Sequence, residues 1–143
     1  ISDARWQKRF NSLQILAIVS EKGDEAVIDV LISKVNDSHA TVRAKAVETL
    51  GNLVPVELGE AFPEASLKAR ELLHDPSRFV RESAAKVLSV VCERDQPSVL
   101  KDLVDASGDS DPAVRAAAIT SLGVLASPGD SFVIESIIKR THE

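Results

Sequence analysis

A chain of 143 residues, 44% hydrophobic and 27% charged, has the balance of one soluble domain or one short stack of repeats rather than of a disordered segment. A net charge of −5 argues against general attraction to phosphate backbones or anionic lipid, and no apolar run approaches the length needed to cross a bilayer. Cys92 is the only cysteine, which excludes an intrachain disulfide, and its apolar neighbours Val87 to Val91 mark it as a small core hydrophobe rather than a nucleophile. An intracellular, cytoplasmic protein fits this composition. The lack of any Met points to a fragment or a processed form.

One motif, Asp-x5-Arg-x2-small-x3-Leu-x2-aliphatic, recurs four times along the chain. It starts at Asp3, Asp37, Asp75 and Asp109, with arginines Arg9, Arg43, Arg81 and Arg115 spaced by 34, 38 and 34 residues. A period in this range signals stacked helical repeats. The first copy opens a loosely patterned helix with Lys8, Ser12, Leu13, Leu16 and Val19 on one face. Asp24 to Val35 follows as a shorter amphipathic segment carrying Val27, Ile28, Leu31, Ile32 and Val35. The second copy aligns Val42, Ala46, Val47, Leu50 and Leu53. Val54 to Pro63, bracketed by prolines, holds the four extra residues of the long period and predicts a longer loop with room for one helical turn.

Pro63 to His74 is the next short segment, with Leu67, Leu72 and Leu73. The third copy aligns Val80, Ala84, Ala85, Leu88 and Val91, and Pro97 to Ala106 carries Val99, Leu100, Leu103 and Val104. The fourth aligns Val114, Ala118, Ile119, Leu122 and Leu125 behind an Asp111-Pro112 helix start. Asp130 to about Arg140 closes the series with Phe132, Val133, Ile134, Ile137 and Ile138. No stretch alternates as a strand would. Eight helices of two alternating types make the chain all-α.

The run from Asp109 to Gly123, with its three counterparts, resembles the HEAT-repeat family, in particular the phycobilin-lyase-type variety. The resemblance covers nearly the whole chain, residues 1–143 as one domain with repeats starting near 3, 37, 75 and 109. It implies a right-handed α–α superhelix, a HEAT-like α-solenoid of about four helix pairs, cut from a longer solenoid. It also implies that the Asp-led, Arg-bearing helix of each pair lines the concave side. The family includes scaffolds, transport receptors and a few enzymes, so activity does not follow from it.

The recurring Asp and Arg read as structural pairs within or between repeats, since four equivalent pairs along a stack cannot converge on one substrate. His39 and His74 fall at interhelical turns, where solvation is expected. His142-Glu143 is similar to one element of helical-repeat iron hydroxylases, but a single pair supplies no ligand set, so neither metal nor cofactor is expected. Trp6 and Phe10 read as aromatics laid bare on a helix that lacks a preceding repeat.

Helix geometry at 100° per residue places offsets −2, +2, +5 and +9 from each arginine opposite the buried stripe. The first helix then presents Gln7, Asn11, Gln14 and Ile18, and the second Thr41, Lys45, Glu48 and Asn52. Phe79, Ser83, Lys86 and Val90 follow on the third, with Ala113, Ala117, Thr120 and Val124 on the fourth. The expected function is a non-catalytic scaffold that binds a protein segment along Thr41, Lys45, Glu48, Phe79, Ser83, Lys86, Val90, Ala113, Ala117, Thr120 and Val124. Neither a nucleic acid nor a membrane is an expected partner. The alternatives are a bilin-lyase-like or DNA-glycosylase-like enzyme, the second weakened by a face offering Lys45 and Lys86 but also Glu48.

Overall fold

Short caps and prolines divide the chain into helices at the places the motif predicts. The structure, a computed structural model, describes residues 4–55 and 62–143. Asp3 and the proline-bracketed loop with its anticipated helical turn lie, wholly or in large part, outside these residues. The helices are α1 (Trp6–Val19), α2 (Glu25–Lys34), α3 (Ala40–Leu53), α4 (Pro63–Glu71), α5 (Arg78–Val91), α6 (Pro97–Ala106), α7 (Pro112–Leu125) and α8 (Ser131–Thr141). A 3-10 turn, Leu72–His74, extends α4. No strand occurs among the described residues.

Several starts are capped as the residue types require. Asp24, Asp111 and Asp130 each accept a first-turn backbone N–H, at Val27, at Ala113 and Val114, and at Val133. Pro63, Pro97 and Pro112 occupy first-turn positions, where a missing N–H costs nothing. His39 caps α3 through Nδ1, which accepts the Thr41 N–H at 3.3 Å. Its ring stacks on Trp6 with centroids 4.1 Å apart. His39 is therefore half-buried rather than solvated, while His74 is exposed as expected.

The odd helices, each of 14 residues, lie side by side in chain order and contact one another closely. The even helices form a second, looser layer outside them. Tighter spacing on one side bends such a stack toward that side, so the odd helices line the concave face. The closest hairpins run across the Asp-bearing turns, joining α2 to α3, α4 to α5 and α6 to α7. The chain is thus an all-α solenoid of about four helix pairs by its sequence motif, whose close hairpins are offset from that motif by one helix, with α1 and α8 flanking them.

The core is continuous through the stack: Leu13, Ile28, Leu31, Val42, Val47, Leu50, Val80, Leu88, Leu100, Leu103 and Leu125 are all sealed from solvent. Burial of this kind, at roughly 25 cal/mol per Å² of apolar surface, is what orders the helices. Several expected core positions differ. Val19, Leu67 and Ile119 are exposed, and α8 contributes no buried residue at all. In α4 the small residues Ala65 and Ala69 face the core where Leu67 does not, since close approach there favours Ala. Val19, Ile119 and α8 belong to the two outer faces of the stack, which no other helix among the described residues covers.

Candidate functional site

A ladder of forked ion pairs sets the rotation between successive odd helices, and so the shape of the concave face. Arg9 donates from Nε and Nη2 to both carboxylate oxygens of Asp37, at 2.6 and 2.9 Å. Arg43 does the same to Asp75 at 2.9 and 3.0 Å, and Arg81 to Asp109 at 3.0 and 3.2 Å. Each carboxylate also accepts a backbone N–H from its own turn, at His39, Ser77 and Asp111. The next arginine then grips the same turn from the other side: Arg43 Nη1 donates to the Asp37 carbonyl, Arg81 to that of Asp75, and Arg115 to that of Asp109. The pairs therefore bridge repeats, and each of these three Asp turns is held twice.

Burial tends to raise the Asp37 carboxyl, but the Arg9 hydrogen bonds, the His39 N–H and the nearby Arg9 and Lys34 charges outweigh it and leave the group below its ordinary value of 3.8. Asp109 is lowered in the same way, with burial opposed by the Asp111 N–H and by Arg81. Burial pushes the Cys92 thiol up despite its 3.2 Å contact with Ser66, so little thiolate is present at neutral pH. Cys92 is half-buried at the end of α5, more open than a core hydrophobe.

Two shallow grooves open between the odd helices on the concave side. The first, about 310 Å³ between α1, α3 and α5, is lined by Phe10, Ala40, Thr41, Ala44, Lys45, Glu48, Ser77 and Phe79. The second, about 440 Å³ between α5 and α7, is lined by Glu82, Lys86, Ser89, Ala113, Ala116, Ala117, Thr120 and Ser121. Of the sequence-predicted face, the structure brings Thr41, Lys45, Glu48 and Phe79 together in the first groove. It brings Lys86, Ala113, Ala117 and Thr120 together in the second. Ser83, Val90 and Val124 line neither groove.

Ala117 is a correction: it is buried at the α5–α7 seam instead of standing on an open face. The helices lie so close together that the +2 side chain of α7 leans on its predecessor. Ser121 donates to the Ala85 carbonyl across the same seam. The residues that sequence reasoning missed include Phe10, Ala44, Glu82 and Ala116, all one place after the motif arginine. That shared offset was visible in the repeat. What hid it was the straight-helix projection, which ignores a neighbour occupying the +2 side.

Trp6 and Phe10 also need correction. Both are half-buried and packed toward α3, Trp6 on His39 and Phe10 as a groove wall, with their ring centroids 6.5 Å apart. Phe79, by contrast, is 60% exposed, and the Arg78 guanidinium lies 4.8 Å from its ring centroid. Lys45 pairs with Glu48 at 3.4 Å, and Lys86 with Glu82 at 2.7 Å. Among the described residues no group of three or more His, Cys, Asp or Glu side chains is placed to hold a metal ion. No helix among them is long and apolar enough to cross a membrane.

The family model for HEAT repeats matches residues 1–89 and 68–142, spanning both layers of helices and every rung of the ladder. The chain belongs to the HEAT-repeat family. Such repeats commonly mediate protein interactions. This HEAT-repeat chain is also 30% identical, over 124 residues and 83% of its length, to a protein of Pseudanabaena tenuis named "Uncharacterized phycocyanin operon protein Z". It spans 58% of that relative's length.

Proposed function

We propose that this HEAT-repeat chain is a non-catalytic scaffold that seats a segment of a partner protein in the concave groove between α1, α3 and α5. The observation that carries this reading is the pairing of two aromatic walls, Phe10 and Phe79, across a floor of Ala40 and Ala44. Phe79 is held out in solvent with no core to fill, and a rigid aromatic over small residues suits an apolar anchor from an incoming helix or strand. Thr41, Ser77, Lys45 and Glu48 supply a polar rim. The lysines of this face are already tied to glutamates, so the cation stripe that duplex DNA demands is weak.

Affinity capture from native extract, followed by titration of the recovered partner against the wild type and Phe79→Asp, tests the reading. The variant should keep its helical circular dichroism and lose partner binding at least tenfold, about 1.4 kcal/mol. Equal affinity of the two proteins would place the partner elsewhere. The second groove is a poorer target for such a variant, because an Asp at the buried Ala117 position would unfold the seam.

The name of the Pseudanabaena tenuis relative favours one second reading, in which the same groove takes an open-chain tetrapyrrole for transfer to an apoprotein. A shift in bilin absorbance on mixing, lost in Phe79→Asp, would support it.

A further inference from the structure

Glu48 and Lys86 hold the same place in successive odd helices, five residues after Arg43 and Arg81, and carry opposite charges. Each is tied within its own helix, Glu48 to Lys45 at 3.4 Å and Lys86 to Glu82 at 2.7 Å. The two pairs are sided alike. The side chains of Glu48 and Lys86 are 57% and 63% exposed, whereas those of Lys45 and Glu82 are only 18% and 28% exposed. An incoming molecule therefore meets a carboxylate on α3 in the first groove and an ammonium on α5 in the second. The equivalent residues of α1 and α7, Gln14 and Thr120, are exposed and uncharged. One ordered pair of accessible charges thus lies across the middle of the concave face.

Spacing sets the width and the register of an occupant. Phe79 lies seven residues before Lys86, and Thr41 seven before Glu48, about 10 Å along their helices. A helix with its side chains is about 10–12 Å across. Laid over α3 and α5, it reaches the Phe79 anchor with one flank and the charged row with the other. A lone extended strand, about 5 Å wide, covers one row only. Neighbouring packed helices such as α3 and α5 lie about 8–10 Å apart, so one such step separates Glu48 from Lys86. On a partner helix that step is about two turns, from a residue to the seventh after it.

We infer that the occupant is an amphipathic helix of a partner protein with a cation and an anion two turns apart on one flank, the cation over Glu48 and the anion over Lys86. This rests on the reading above, in which the groove seats a partner segment. The other flank carries a bulky apolar residue that enters between Phe10 and Phe79. Exposed ion pairs are individually weak, so the two charges select the direction in which the helix lies more than they add affinity. A helix laid the opposite way sets like charges against each other at both positions and is rejected.

The probe is a display library of peptides about five turns long on an alanine-rich helical frame, with one face and its flanks randomised. It is selected on the immobilised chain and, separately, on the chain carrying Glu48→Lys with Lys86→Glu. Peptides taken by the wild type should share an apolar residue and one fixed order of basic and acidic residues seven positions apart. Those taken by the double variant should carry the reverse order. In titration, the double swap should weaken a wild-type-selected peptide about tenfold, since two exposed attractions become repulsions. The charge-reversed peptide should regain that loss, which also shows that the variant is folded. Peptides that are lost on Phe79→Asp yet show no charge order would overturn this inference and leave the groove reading standing. No enrichment, or enrichment indifferent to Phe79→Asp, would overturn both. Peptide uptake that falls as the chain associates with itself would put a second copy in the groove and overturn the partner helix.

Discussion

Ala85 and Ile119 hold the same place in the motif, four residues after the arginine, and meet opposite fates. Ala85 in α5 is sealed under α7, whereas Ile119 in α7 stands in solvent. The difference is not in the helices, which share length, stripe and ladder. It lies in whether another helix pair follows. A repeat determines where a side chain points, and only its neighbour determines whether that side chain is worth anything to stability.

The largest test of this contrast is a pair of truncations. Leu88→Ala, at a fully sealed site between α3 and α7, should cost about 2–5 kcal/mol by leaving a cavity. Ile119→Ala, measured in dilute solution, should stay within about 0.5 kcal/mol because it removes exposed surface. Urea denaturation of both variants compares them directly, and similar losses would mean that the outer face is covered in the single chain.

A smaller effect separates two rungs of the ladder. Arg43→Ala leaves the well-shielded Asp75 carboxylate with only its turn N–H and should cost about 1.5–3 kcal/mol. Arg115→Ala loses two backbone contacts and a weaker Coulombic influence on Asp109, but no carboxylate fork, and should cost about 1 kcal/mol. Acid probes the same rungs. Because Asp37 and Asp109 titrate lower folded than unfolded, their contribution is fully present above the ordinary carboxylate value of 3.8 and is lost as pH falls through the lower folded values. Thermal melts should hold from neutrality to about pH 5 and fall steeply below pH 4. A melting temperature that rises on acidification would contradict the ladder.

The smallest contrast is between two glycines. Gly123→Ala should stabilise the chain by up to about 0.5–1 kcal/mol, since an exposed helical glycine in the last turn of α7 gains helix propensity and meets no neighbour. Gly51→Ala should gain less or lose, because its Cβ would press on Val87. Calorimetry of the two variants orders them, and equal gains would show that α3 and α5 can part freely.

The residues themselves carried the architecture. Four Asp–Arg motifs at a period of 34 to 38 residues, with one apolar stripe per helix, leave few ways to bury the stripes other than stacked hairpins. Leu50, Leu88 and Leu122 went to the core because their helix faces point nowhere else. Groove-lining Thr41, Lys45, Glu48 and Phe79 were legible for the same reason, since 100° per residue orients a side chain before any partner is known. Tertiary packing alone decided the rest. Ala117 was closed off by the lean of α7 on α5, Phe10 was turned into a groove wall by α3, and His39 was drawn from solvent onto Trp6. Helical period sets direction around one axis, whereas burial depends on the distance to a second axis, and that distance is a property of the stack.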